Sequence, residues 1–318
     1  MERRDHVMTG DPAAPTLATY YAMGVRNFDV RGALDSLVRQ ATVQNPDALS
    51  DARCPGQCVG QRPTLDTYLA LRYAANDICH CWGGAAETLE RSLADFSLAM
   101  WARQAGRGDL SRRLRPRGDY WKNTFNPAVG YQAARRADGS WQPGSSPSTD
   151  IGFAQGTSAT YTWMVPQNVS GLATLMGGRE AAATRLDGLC HDENGNWPVL
   201  GGNLLRYDPT NEPGIHAPWL YNGLGQPWKT QETVRRIVDT AYGVGPGRPL
   251  RAIPRAAARG RRRRGSRGGC AGAREPEVGR SGVTAWEAVA AYPAGCHSRT
   301  ATSWISRWPS RRPQNAAR

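Results

Sequence analysis

The chain has 318 residues, 21% of them charged, with a mean hydropathy of −0.57, a pI near 9.9 and a formal net charge of +13, and its length suffices for one large core or two domains. The excess charge sits in one place: residues 248–318 carry 16 arginines, no lysine and three acidic residues, leaving 24 basic and 24 acidic side chains in residues 1–247. A balanced body excludes the electrostatic footprint of a nucleic-acid-binding domain, and no apolar run approaches the length of a transmembrane helix.

The opening MERRDHVMTGDPAAP has a charged start without the apolar stretch that a signal peptide needs, which at face value describes a cytoplasmic protein. Residues 16–23 (TLATYYAM) are apolar enough to begin a buried helix, and residues 24–29 turn. Asp29 is placed to cap a helix VRGALDSLVRQAT, in which Ala33, Leu34, Leu37, Val38 and Ala41 recur at helical spacing. A loop rich in Pro, Asp, Gly and Cys covers 45–60, and 64–73 reads as a short helix. Seven cysteines at irregular spacing do not describe a disulfide framework. Cys54, Cys58, Cys79, His80 and Cys81 gather soft ligands in one region, but their spacing departs from the paired pattern of zinc knots.

Residues 87–104 make the clearest helix, with Leu89, Leu93, Phe96, Ala99 and Met100 along one side. The stretch NTFNPAVGYQAARRADGSWQP suggests a small hairpin around Tyr131 and a turn at Asp138-Gly139. Two short helices follow at 172–176 and 181–189, split by Gly177-Gly178, and another at 231–242 carries Val234, Ile237, Val238 and Ala241. Helices alternate with long polar loops and no βαβ rhythm appears, so the expected fold is all-α, built from antiparallel pairs. Beyond residue 247 the language changes to Arg, Ala, Gly and Pro without period. An arginine-rich arm for RNA, a patch for acidic partners and a segment that never folds are all readings of it; the abrupt break favours a GC-rich gene translated out of frame.

Two loops concentrate the chemistry. The first, GFAQGTSATYTWMVPQNVSGLATLMGG, mixes Gln, Ser and Thr with Phe, Tyr and Trp; the second holds Asn211, Glu212, His216, Trp219, Tyr221 and Asn222 within a dozen residues. Rings beside hydroxyls and amides suit a cleft that stacks and orients a polar ligand. They suit an ordinary aromatic core equally well.

Several separated blocks, in order, resemble the catalytic domain of glycoside hydrolase family 92, the α-1,2-mannosidases. These are GDPAAPTLATYYAMGVRNFD, TLERSLADFSLAMWAR, YWKNTFNPAVGYQAARRADGSW, the first aromatic loop, and NEPGIHAPWLYNGLGQPWKTQETVRRI. The resemblance implies a partial (α/α)6 toroid over residues 1–247 with its pocket formed by loops at one end, and an unstructured, non-native tail over 248–318. It also implies inverting hydrolysis of α-mannosides, dependence on Ca²⁺, export from the cell, and a β-sandwich domain that packs against the toroid and that this chain starts too late to contain. Mannose-containing glycans are the implied partners, with neither nucleic acid nor membrane.

Inverting hydrolysis needs one carboxylic acid to protonate the leaving oxygen and one carboxylate to activate water, roughly 6.5–9.5 Å apart. By resemblance the acid belongs at the Glu of a "GF-x-EG" pattern, where this chain has Gln155. The acidic "PGNDD-x-G" block that should carry the base falls where the arginine-rich tail begins. The same resemblance makes Asn211 and Glu212 ligands of Ca²⁺, lets His216 bond a sugar hydroxyl, and lets Trp163 and Trp219 stack on a pyranose; Glu212 before Pro213 also reads as a first helical turn. The expectation is a glycosidase impaired or inactive as it stands, or a non-catalytic carbohydrate-binding remnant.

Overall fold

A computed structural model describes residues 10–45, 62–191, 195, 205–209 and 211–241. The expected tail, together with Cys54 and Cys58, lies outside these residues. The regular elements of the described residues are ten α-helices, four 3₁₀ segments and one two-stranded hairpin.

Helix α4 (Gly84–Gln104) is the spine, with 15 of its 21 residues buried, which a single apolar stripe could not produce. Its C-terminal half shares a core with α1 (Ala13–Ala22), α2 (Val30–Thr42) and α5 (Gly108–Leu114). There Leu98, Trp101 and Ala102 meet Leu34, Leu37, Val38, Leu110 and Leu114. Helix α2 forms as its sequence suggests: the Asp29 carboxylate accepts from the Gly32 N–H at 2.9 Å, and the apolar stripe turns inward.

The N-terminal half of α4 enters a second core. Ala85, Ala86, Leu89 and Leu93 pack there with Trp121, Phe125, Phe153, Tyr161 and Trp163, and with residues from the last four helices. Between the two lies a run of 3₁₀ turns, Arg115–Thr124, leading into the hairpin of β1 (Phe125–Asn126) and β2 (Tyr131–Gln132), paired antiparallel. The expected turn at Asp138-Gly139 is present, closed by a bridge between Arg135 and Trp141. A third, smaller cluster packs Leu65 and Tyr68 of α3 (Leu65–Leu71) with Ala74 and Cys79 of the segment that follows it. Here the reading of the cysteines needs correcting: Cys79 and Cys81 are joined in a disulfide across one residue, so those thiols are not metal ligands.

Charges are buried along α4. Arg62 bonds Asp11 at 2.9 Å and Asp95 at 2.6 Å, and Arg91 bonds Glu87 at 2.8 Å and the Pro63 carbonyl at 2.7 Å. Each cation meets an anion, as burial requires. These contacts tie the segments before α1 and α3 to the spine.

Candidate active-site loops

The first aromatic loop is bolted down at both ends. At its start, Gly152 offers its carbonyl to the Ala86 N–H of α4 at 3.0 Å. Gly83 lies so near that a Cβ there would stand 2.4 Å from the Gly152 carbonyl carbon. At its end, α6 (Ser158–Tyr161) begins with a reciprocal cap between Thr157 and Thr160. Ser158 Oγ donates to the Gln132 carbonyl at 2.6 Å, and Thr162 Oγ1 accepts from the Gln132 N–H at 2.8 Å. The hairpin is therefore a buttress for the loop. Gln155 stands between these anchors with an exposed side chain.

The second loop meets the first at two points. Asn211 Nδ2 donates to the Gln155 carbonyl at 2.6 Å, and His216 Nε2 bonds the Trp163 carbonyl at 2.8 Å. A carbonyl can only accept, so the His216 ring carries its proton on Nε2. His216 is 6% exposed, and burial holds its pKa below the ordinary 6.5.

Of the residues expected to act on a ligand, Gln155, Asn211 and the exposed Glu212 are brought to one place. Trp163 is 1% exposed, inside the core, so stacking on a sugar is not available to it in this arrangement. His216 has committed Nε2 to the first loop and joins the walls. Trp219 faces elsewhere, into an open groove of 470 Å³ that it lines with Thr230, Gln231, Val234, Arg235 and Val238 of α10 (Pro227–Ala241).

Helix α10 is seated by one carboxylate. Asp187, on α8 (Arg179–Cys190), accepts from the Tyr221 hydroxyl at 2.7 Å and from Lys229 at 2.6 Å. Beside it the Cys190 thiol is buried, which pushes its pKa up to about 12.

Sequence reasoning missed a group on the other side of the site. The half-buried Glu90 of α4 has Glu87, Asp11 and Glu212 close enough for their charges to reach it; burial first, and then these anions, hold its pKa well above the usual carboxylate range. Tyr161, whose pKa is raised by burial and then by Glu90, rests against the backbone of Gln155 and Ala154. The available signal was an acidic residue among the apolar positions of the clearest helix.

Asn211 turns its amide nitrogen to Gln155, which leaves Oδ1 as its remaining polar atom, and Glu212 adds a carboxylate. Both are hard oxygen donors of the kind Ca²⁺ takes. Among the described residues no group of three or more His, Cys, Asp or Glu side chains forms a metal cage.

The helical body and the loop pair fall within the catalytic domain of a glycoside hydrolase family. A model of the glycosyl hydrolase family 92 catalytic domain matches residues 1–248, and the chain belongs to that family. It is similar to the family GH92 α-mannosidase BT3965 from Bacteroides thetaiotaomicron, with 28% identity and a TM-score of 0.63 over 77% of this chain and 30% of that one. The inverting mannosidase BT2199 of the same organism gives 25% identity and a TM-score of 0.63 over 77% and 34%. A structure of BT3965 with mannoimidazole aligns equally well, at 27% identity over 77% and 32%. The chain thus spans about a third of the length of these solved relatives. No curated protein matches it. The all-helical, toroid-like expectation for the body holds.

Proposed function

We propose that this chain builds the helical side of an α-mannoside site that keeps sugar binding and has lost efficient cleavage. Position 155 carries the reading. The loop that resembles the acid-bearing segment is completely formed and tied to Asn211, yet it presents an amide. An amide can hold the glycosidic oxygen by a hydrogen bond and has no proton to give. Losing a general acid costs about 10²–10⁴-fold in rate, most for leaving groups that depart as poor, unprotonated alkoxides. The water-activating carboxylate of an inverting reaction is expected beyond residue 247, where the arginine-rich composition supports an out-of-frame tail.

Ca²⁺ suits the donors at this site. Asn211 Oδ1 and the Glu212 carboxylate would hold it, and the ion would polarise and orient the hydroxyls of a bound sugar. The chain's own groups do the rest: Asn211 fixes the Gln155 backbone, and the His216–Trp163 bond keeps the two loops in register.

The test uses the full chain, methyl α-mannoside and mannose. Mannose titration followed by tryptophan fluorescence should show saturable binding that weakens on chelation, while NMR should detect no release of mannose from the glycoside. Turnover of methyl α-mannoside would overturn the loss of cleavage, and absence of binding at millimolar mannose would overturn the site itself. The groove of α10 offers no rival catalytic reading, since its lining lacks a carboxylate.

A further inference from the structure

Glu90 breaks a rule that the rest of the molecule keeps. Arg62 has Asp11 and Asp95, and Arg91 has Glu87. Glu90 is half-buried, has Glu87, Asp11 and Glu212 as its charged neighbours, and receives no hydrogen bond or ion pair among the described residues. The backbone is shaped around it. Gly10 takes φ +95, which favours glycine, and a Cβ there would lie 2.5 Å from Glu90 Oε2, so the backbone passes close over the carboxyl group. The residue after that glycine supplies an independent sign: Asp11 is 2% exposed, with Oδ2 on Arg62 and Oδ1 buried without a partner. Unpaired acceptors in a folded core are costly and concentrate where a ligand completes them.

We infer that Glu90 is a sugar-binding residue of the site, accepting hydrogen bonds from a pair of adjacent hydroxyls from the α4 side, opposite Asn211 and Glu212. The inference rests on the sugar-site reading above. A vicinal diol presents two O–H donors at the spacing of one carboxylate's two oxygens, and it brings no charge of its own into an already acidic place. Tyr161, resting on the Gln155 backbone and within reach of the Glu90 charge, links this wall to the loop bearing position 155.

The experiment compares the full chain with Glu90→Gln and Glu90→Ala for mannose affinity and melting temperature. Glu90→Gln retains the shape and removes the repulsion with Glu87, Asp11 and Glu212. Mannose affinity is expected to fall about tenfold in Glu90→Gln and further in Glu90→Ala, while neither variant melts below the wild type. Unchanged affinity in both variants, with the wild type binding, overturns the inference and leaves the sugar site standing. A lowered melting temperature in Glu90→Gln overturns it too, because it would make Glu90 a structural residue. Failure of the wild type to bind mannose is the separate failure of the site reading.

Discussion

His216 shows how a residue suited to catalysis becomes a strut. Its Nε2–H is held by the Trp163 carbonyl, deep enough that burial keeps the ring neutral. As pH falls through about 6.5 the unfolded chain takes up the proton first, because the folded pKa is lower. The contribution is therefore complete above that value and is lost as pH falls towards the folded pKa. Melting temperature should drop over this acidic range, and His216→Gln, which keeps a donor but does not titrate, should reduce the slope. His216→Ala removes one of the two donors to the Trp163 carbonyl, which keeps the Val165 N–H at 2.7 Å, and should cost about 0.5–1.5 kcal/mol, measured by urea melts at neutral pH. Sequence could show that Gln155, Asn211 and His216 belong to loops rich in polar and aromatic groups. It could not show that Asn211 reaches the Gln155 backbone through Nδ2, nor that Trp163 lies inside. Glu90 was hidden for another reason: a glutamate in a helix reads as solvated until the fold sets Glu212 and Gly10 against it.

Among the elements, the meeting of α4 with the first loop is the most demanding. Gly83 has an extended backbone that any residue adopts, so Gly83→Ala tests space alone. Its added Cβ must displace the Gly152 carbonyl, at a cost of about 1–3 kcal/mol. Hydrogen exchange should rise at the Ala86 amide, which bonds that carbonyl, and mannose binding should weaken with it. The seat of α10 makes a second case. Asp187→Ala removes the acceptor of both Tyr221 and Lys229. Asp187 is 37% exposed and Lys229 30%, so solvent screens the ion pair and the Tyr221 hydroxyl dominates. A loss of about 1–2 kcal/mol in thermal or urea melts is expected. Strongly periodic elements were legible: α2 and its Asp29 cap, α7 (Val169–Leu175) and α8 on either side of Gly177-Gly178, and the hairpin near Tyr131. Helix α5 and the 3₁₀ run were not, because their arginines and Pro116 mask the few inward apolar positions, Leu110, Leu114 and Trp121. Helix α10 was found with its stripe partly misread, since Val238 is 48% exposed while Ile237 is buried.

Across the whole molecule, three stretches distant in sequence meet at Arg62. Arg62→Met would strand Asp11 in the interior and leave Asp95 only the longer contact to Arg117 at 3.8 Å, both carboxylates being 2% exposed or less. Breaking such a pair costs about 3–5 kcal/mol, and circular dichroism melts should show it as one of the most damaging substitutions outside the apolar cores. Leu98→Ala, at a position with no exposed surface, should cost about 2–5 kcal/mol through the cavity it leaves. Both changes act through α4, whose buried residues face two cores at once. A helix with so little solvent-facing surface depends on its surroundings, since tertiary packing rather than propensity holds most helices. Neither half of the molecule can then melt and leave the other intact. Trp101 reports from one core and Trp121 and Trp163 from the other, so single-tryptophan variants should trace the same denaturation midpoint. The spine thereby makes the body one cooperative unit: damage at the end of α4 far from the proposed sugar site is felt there as loss of folded protein.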